Sequence, residues 1–264
     1  MKKITYKSLL SQKKMKPFTC LTAYTKSLAK ILDGKVDIIL IGDSLGTALY
    51  GMKNTQSITL DMMKNHGKAV VNNVKKSLTV IDMPINTYQT KKQALKNAKD
   101  LLNHTKANYV KLENDKKNIN ILEHLTKNKI NVVSHIGVTP QKFSNFKKIK
   151  SVGKNNKETL NIIKLAIELE KAGSKFIVLE CIKQPVAKKI TSVLKIPTIG
   201  IGSSKYCDAQ VLVINDILNI DSMETKPKFV KKYLNLNHII SSAVEKYVNE
   251  VKNKKFPSKK YSYY

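Results

Sequence analysis

Eight short apolar runs, rich in β-branched residues, recur along this chain of 264 residues and constrain its fold more than any other feature. A continuous apolar run of this kind is typical of a strand buried on both faces, as in a parallel sheet. The runs predict strands at residues 18–23, 38–42, 78–81, 109–112, 131–135, 176–179, 198–202 and 211–214.

Helical patterns lie between most of these runs. Apolar residues three and four positions apart predict helices at residues 60–74, 91–102 and 160–172, and Pro185 favours a helix that runs to about residue 194. Strands that alternate with helices predict a parallel sheet, and eight of them favour a closed (β/α)8 TIM barrel. We expect one barrel domain over residues 1–264, with an extra N-terminal helix at 6–14, a closing helix at 238–251 and a frayed, Lys-rich tail at 252–264.

Composition bounds the class of protein. The chain is 42% hydrophobic, which suffices for a folded core, and its three cysteines, Cys20, Cys181 and Cys207, have no metal-ligand spacing. We expect reduced thiols and a cytoplasmic location. No apolar run approaches the roughly 18 residues of a membrane helix, and no apolar signal core follows the charged N-terminus, so no membrane association is expected.

The net charge of +29 raises the question of nucleic-acid binding. However, all 48 basic residues are Lys and none is Arg. Arg supplies the bidentate contacts that dominate nucleic-acid recognition. Because the lysines are also dispersed along the chain, a solvated Lys-rich surface is the preferred interpretation, with weak, salt-sensitive polyanion binding left open.

Four of the predicted strands end on an acid, namely Asp43, Asp82, Glu113 and Glu180, and a fifth ends on His135. The carboxyl ends of barrel strands carry the active site of such enzymes, although a single acid there can equally cap the next helix. Three converging carboxylates would repel by about 4 kcal/mol per pair at 4 Å and an effective dielectric of 20. Convergence therefore requires a cation or raised pKa values, and oxygen ligands favour Mg²⁺ over Zn²⁺.

We accordingly predict that Asp43, Asp82 and Glu113 hold one Mg²⁺, directly or through water. Lys111 lies two residues before Glu113, so both side chains point to the same side of one strand, where the ammonium suits a substrate anion beside the metal. Glu180 is interpreted as a general base or as a salt-bridge partner of a lysine. His135 is interpreted either as a proton relay or as a buried structural histidine.

Two segments, residues 47–57 and 139–157, are long for connections in such a barrel. Long loops at the carboxyl ends of strands commonly act as lids. Both segments are therefore candidate lids.

At these same residues the chain resembles the ketopantoate hydroxymethyltransferase (3-methyl-2-oxobutanoate hydroxymethyltransferase) family. The matching motifs occur in the family's order from about residue 4 to the end of the chain. They are Leu21-Thr22-Ala23-Tyr24, Gly42-Asp43-Ser44-Leu45-Gly46, Thr59-Leu60-Asp61-Met62, Asp82-Met83-Pro84, Lys111-Leu112-Glu113, His135-Ile136-Gly137-Val138-Thr139-Pro140-Gln141, Val178-Leu179-Glu180-Cys181 and Ile196-Pro197-Thr198-Ile199-Gly200-Ile201-Gly202.

The resemblance implies a barrel of the phosphoenolpyruvate/pyruvate superfamily, one Mg²⁺ per subunit, 5,10-methylenetetrahydrofolate as co-substrate and a homodecamer. It implies Asp43, Asp82 and Glu113 as metal ligands and Glu180 as the proton acceptor. The implied substrate contacts are Asp43, Ser44, Asp82 and Lys111. Tyr24 and His135 are expected to contact these site residues, and not the metal or the substrate itself.

Several positions depart from the family's pattern, and we expect them to affect loop geometry and folate contacts more than reaction class. They are Thr25, Asn114, Asp115, Ser134, Ser203, Ala209 and Asn215.

Two other functions stay open at this point. A carbon–carbon lyase or phosphonomutase on the same barrel would also use Mg²⁺ and acids at strand ends. A Lys-rich nucleic-acid-binding or scaffold protein is the alternative without catalysis.

Overall fold

The computed structural model describes residues 3–143, 150–220 and 227–263. Eight parallel strands pair in chain order and close into a barrel, which confirms the predicted fold class. The strands are β1 (Phe18–Thr22), β2 (Ile38–Ile41), β3 (Leu78–Asp82), β4 (Tyr109–Glu113), β5 (Val132–Gly137), β6 (Phe176–Glu180), β7 (Thr198–Ile201) and β8 (Ala209–Leu212).

Ten α-helices are seen in the described residues. They are α1 (Tyr6–Gln12), α2 (Lys26–Leu32), α3 (Leu45–Tyr50), α4 (Leu60–Val71), α5 (Lys91–Thr105), α6 (Ile119–Lys127), α7 (Asn156–Lys171), α8 (Gln184–Val193), α9 (Ile214–Leu218) and α10 (Leu236–Lys252). Side-chain oxygens of Thr59, Thr90 and Asn155 cap the first turns of α4, α5 and α7. These caps explain why the three helices begin where they do.

Aromatic side chains close the end of the barrel where the strands begin. The ring of Phe176 packs edge-to-face against Tyr6, Phe18 and Tyr109, with centroids 5.3, 6.2 and 5.6 Å apart. Leu9 of α1 is fully buried in the same cluster. The extra N-terminal helix therefore plugs this end, and the opposite end is left for polar groups.

The structure corrects several of the predicted boundaries: α1 ends at Gln12 instead of 14, α4 at Val71 instead of 74 and α5 at Thr105 instead of 102, and α7 begins at Asn156 instead of 160. β8 spans Ala209–Leu212 instead of 211–214, because Ile214 begins α9. The segment 47–57 is not all loop, since α3 continues through its start. The segment 139–157 contains a 3₁₀ helix at Pro140–Lys142 and ends in α7; its residues 144–149 lie outside the described residues.

The chain divides into two compact units, Met1–Val213 and Ile214–Tyr264, and all eight strands lie in the first. In the second unit the Tyr233 amide donates to the Ile217 carbonyl at 2.8 Å, and a 3₁₀ helix spans Lys259–Tyr261. One domain over residues 1–264 and a frayed tail at 252–264 stay predictions. No helix in the described ranges is long and apolar enough to cross a membrane.

A buried ion pair links α1 to the last two strands. Asp208 Oδ2 accepts from Lys13 Nζ at 2.8 Å and from the amide and hydroxyl of Thr198 at 2.8 and 3.0 Å. The Lys13 and Asp208 side chains are 7% and 2% exposed, respectively. Removal of one partner of such a pair leaves an uncompensated buried charge.

We expect Asp208→Ala to lower the free energy of unfolding by about 3–5 kcal/mol, measured by urea denaturation. Asp61→Ala is the control, because Asp61 pairs with Lys64 at 84% exposure and should contribute little. Equal denaturation midpoints for the two variants would show that the buried pair does not hold this part of the barrel together.

Candidate active site

The strand ends bring the predicted acids to one mouth of the barrel. The register pairs Asp82 of β3 with Lys111 of β4, and Glu113 of β4 with His135 of β5. All four side chains are 2–6% exposed. The parallel register therefore gathers charged groups that lie far apart in the sequence into one dry layer above the apolar interior.

A short chain of contacts joins Asp43, Asp82 and Lys111. Asp82 Oδ1 lies 2.9 Å from Lys111 Nζ, and Asp82 Oδ2 accepts from the Asp43 amide at 3.0 Å. Both oxygens of Asp82 are thereby engaged, one by a cation and one by the backbone of the β2 end.

Gln141 connects two of the acids. Its side-chain Nε2 donates to Asp43 Oδ2 at 2.7 Å, and its backbone amide donates to Glu113 Oε1 at 3.1 Å. The Tyr88 hydroxyl donates to Gln141 Oε1. Sequence reasoning assigned no role to Gln141 or Tyr88, although Gln141 ends one of the motifs that carry the family resemblance.

The charges at the mouth are not balanced. Burial, followed by the charge of Asp82, raises the pKa of Asp43 to about 7. Burial and the charge of Asp43 raise the pKa of Glu113 well above its usual value. Burial lowers the pKa of Lys111, but the facing carboxylates outweigh burial and raise it overall. Three acids thus share one ammonium, and the neighbouring carboxylates disfavour ionisation of Asp43 and Glu113.

This donor set fits a hard divalent cation. Glu113 Oε2 is buried and makes no hydrogen bond, so one carboxylate oxygen of the layer is left for a ligand. Across the described ranges, no three His, Cys, Asp or Glu side chains lie close enough to hold an ion by themselves. Mg²⁺ keeps several waters or substrate oxygens beside one or two carboxylates, so the residues fit this ion without a closed protein cage.

Glu180 stands apart from the other acids. Its side chain is 13% exposed, and its Oε2 lies 3.1 Å from Nε2 of His135. The other ring nitrogen of His135 lies 3.9 Å from Glu113 Oε1. Burial, then the charge of Lys111, lowers the pKa of His135, so the ring is neutral at pH 7 and sits between the two acids without adding charge.

Ser44 and Tyr24 meet at the ends of β1 and β2. Their hydroxyl oxygens lie 2.7 Å apart in a hydrogen bond, and Tyr24 is fully buried. The Tyr24 carbonyl accepts from His66 Nδ1 at 2.7 Å. The position of the Ser44 hydroxyl, just before α3, is therefore set by a side chain that cannot move freely.

Four of the seven positions that depart from the family's pattern, Thr25, Asn114, Asp115 and Ser203, follow the carboxyl ends of β1, β4 and β7. Thr25 caps α2, Asp115 forms an ion pair with Lys142 at 2.6 Å, and the Ser203 hydroxyl donates to the Ile182 carbonyl at 3.0 Å. Ser134 and Asn114 are buried. Ala209 begins β8 and Asn215 lies in α9.

Solved structures share this architecture at low sequence identity. The chain is similar to a phosphonopyruvate hydrolase solved with oxalate and Mg²⁺, with a TM-score of 0.61 at 10% identity over 98% of this chain and 93% of that one. It is also similar to 2,3-dimethylmalate lyase, a member of the PEP mutase/isocitrate lyase superfamily, with a TM-score of 0.60 at 10% identity over 98% and 92% of the two chains. These likenesses support the barrel fold and carry no information on superfamily or substrate.

Sequence comparison selects among the functions that this barrel hosts. The chain is 46% identical to a 3-methyl-2-oxobutanoate hydroxymethyltransferase of Pelagibacter ubique, over 97% of this chain and 98% of the relative. It is 41% identical to the enzyme of that name from Helicobacter pylori, over 100% and 97%. Residues 3–259 match the family described as ketopantoate hydroxymethyltransferase. The interpretation as a transferase of pantothenate biosynthesis is confirmed, and the chain belongs to the ketopantoate hydroxymethyltransferase family.

Proposed function

We propose that this chain transfers a hydroxymethyl group from 5,10-methylenetetrahydrofolate to 3-methyl-2-oxobutanoate and so forms 2-dehydropantoate. The observation that carries the proposal is the division of the four strand-end acids into a buried group of three and a separate, more exposed Glu180. The first group suits a cation, and the second suits proton transfer at the substrate.

Lys111 and Ser44 are proposed to hold the substrate carboxylate. Lys111 brings a buried ammonium to the mouth, and its 2.9 Å contact with Asp82 fixes its direction. The Ser44 hydroxyl is held by Tyr24 at 2.7 Å. A charge-assisted hydrogen bond from a buried ammonium orients a carboxylate more strongly than a contact in open water does.

Asp43, Asp82 and Glu113 are the proposed metal-site residues, with Asp43 and Asp82 also contacting substrate. Three acids against one lysine leave a net charge that a divalent cation would neutralise. Bound Mg²⁺ would supply Lewis acidity toward the keto oxygen of the substrate. These residues exclude water from that oxygen and keep the local dielectric low.

Glu180 is the proposed general base. It takes the proton from C3 of the substrate, and the electron pair of that C–H bond passes into the enolate. C3 then forms a bond to the one-carbon unit, and both C–N bonds that hold this unit to the folate break. Water supplies the hydroxyl oxygen of the product, and tetrahydrofolate leaves with the two released protons on its nitrogens. The 3.1 Å contact with neutral His135 supports a role for that ring in orienting Glu180, whereas a proton relay through His135 stays a prediction.

The rival functions make different predictions. A carbon–carbon lyase or phosphonomutase would turn over without folate, and the two solved structures named above share only 10% identity with this chain. A nucleic-acid-binding protein would bind with a steep salt dependence and would tolerate Asp43→Ala.

A homo-oligomer is proposed on the basis of α10, which buries none of its residues. Ile240, Val244, Tyr247 and Val251 recur four, three and four residues apart and are 43%, 54%, 56% and 41% exposed. An exposed apolar stripe with this spacing favours packing against another helix. A decamer and a cytoplasmic location stay predictions, the first from the family resemblance and the second from the cysteines.

We expect 2-dehydropantoate formation to require both Mg²⁺ and methylenetetrahydrofolate. Treatment with EDTA should abolish product formation measured by mass spectrometry, and added Mg²⁺ should restore it. Turnover of 3-methyl-2-oxobutanoate without folate would point instead to a lyase.

Glu180→Gln should slow exchange of the C3 proton into deuterated water by about 10²–10⁴-fold, because the amide cannot accept the proton. The exchange is measured by proton NMR with substrate and Mg²⁺. Glu123→Gln, on the exposed side of α6, is the control and should exchange at the wild-type rate. A normal rate in Glu180→Gln would remove Glu180 from this role.

Val244→Asp should reduce the oligomeric mass measured by light scattering, because it places a charge in the apolar stripe of α10. Ser242→Asp adds the same charge to the same helix and serves as the control. An unchanged mass for Val244→Asp would show that copies associate through another surface.

A further inference from the structure

Gln141 is the buried amide that links several strand ends at the mouth of the barrel. It is 2% exposed and lies in the 3₁₀ helix Pro140–Lys142 after β5. Its Nε2 donates to Asp43 Oδ2 at 2.7 Å and to the Met83 carbonyl at 3.0 Å. Its backbone amide reaches Glu113 Oε1 at 3.1 Å, so one residue contacts the segments that follow β2 and β3 and the end of β4.

The orientation of this amide is determined by its partners. Nε2 carries two hydrogens and faces two acceptors, whereas Oε1 accepts from the Tyr88 hydroxyl. The flipped amide would point its oxygen at a carboxylate and a carbonyl, neither of which can donate. The two acceptors therefore select the orientation in which Gln141 donates to Asp43, and the Tyr88 hydroxyl holds Oε1 in that orientation.

This turn is also anchored at two places, once through its backbone and once through a side chain. Gln56 Nε2 donates to the Gln141 carbonyl at 3.1 Å. Lys142 Nζ pairs with Asp115 Oδ2 at 2.6 Å, which ties the turn to the loop after β4. The two anchoring residues lie in different loops, Gln56 between β2 and β3 and Asp115 after β4. The backbone that carries the Gln141 side chain is therefore held from two directions.

We propose that Gln141 is a positioning residue that orients the Asp43 and Glu113 carboxylates for cation binding, and that Tyr88 fixes Gln141 in turn. One oxygen of each carboxylate accepts from Gln141, which restricts rotation of both groups. This inference rests on the proposed function, in which Asp43 and Glu113 hold Mg²⁺. Loss of a group that orients metal-binding carboxylates typically weakens metal affinity or activity 10–100-fold.

Gln141→Met tests the side-chain contact, because Met is unbranched and similar in length but cannot donate. Mn²⁺ binding to the substrate-free protein, followed by electron paramagnetic resonance, should weaken about 10–100-fold. Tyr88→Phe, which removes one hydroxyl, should weaken it in the same direction but less. Gln210→Met makes the same change at an exposed residue of β8 and should bind Mn²⁺ as the wild type does.

Activity separates positioning from a merely structural effect. The transferase rate of Gln141→Met should be low at limiting Mg²⁺ and should recover at saturating Mg²⁺, because the variant retains Lys111, Ser44 and Glu180. Damage to the fold would not be reversed by metal. If Gln141→Met fails to fold, the Mn²⁺ affinity of Tyr88→Phe decides the question.

Unchanged Mn²⁺ affinity in a folded Gln141→Met would overturn the positioning role and leave the proposed function intact. A wild-type protein that binds no Mn²⁺ would refute the metal site, and with it the positioning role. The expected result is wild-type binding together with weakened binding in both site variants.

Discussion

The burial of several carboxyl groups close together at the mouth of the barrel is the constraint on which the rest of this site depends. Asp43, Asp82 and Glu113 are each at least 93% buried, and Lys111 is the cation that contacts Asp82. In water such acids would repel weakly, but burial strengthens the repulsion and raises the pKa values of Asp43 and Glu113. The side-chain and backbone amides of Gln141 donate to Asp43 and Glu113, and so lower the cost of keeping these two carboxylates ionised.

The barrel separates this charge from its own core along single strands. In β6 the inward positions run from Phe176, in the aromatic plug, through Val178 to Glu180 at the mouth. In β4 they run from Tyr109 through Lys111 to Glu113. Because side chains alternate along a strand, one end of the same interior is apolar and the other is polar. The residues that stabilise the barrel and the residues proposed to carry out its chemistry therefore lie at opposite ends of the barrel interior.

The sequence was sufficient to predict the barrel and the position of the acids at the strand ends, because both are local signals. Five residues are enough to recognise an apolar run that ends on a carboxylate, as at β3 and β4. The separate role of Glu180 was assigned from family resemblance, and spacing alone did not select it. Gln141 was missed because its contact with Asp43 spans 98 positions and depends on the path of the turn after β5. The predicted end of β8 was wrong because an apolar residue such as Ile214 is compatible both with the last position of a strand and with the first position of a helix.

A close approach of the ends of β5 and β6 fixes the backbone at Glu180. Gly137 has φ +102°, and a Cβ at this residue would lie 2.2 Å from the Glu180 carbonyl oxygen. That carbonyl accepts from the Val138 amide at 2.9 Å, and Cys181 follows at φ +50°. Only glycine allows the two strand ends to approach this closely. The same turn then continues into Pro140–Lys142, so the backbone that places the proposed base also carries the residue that braces the proposed metal site.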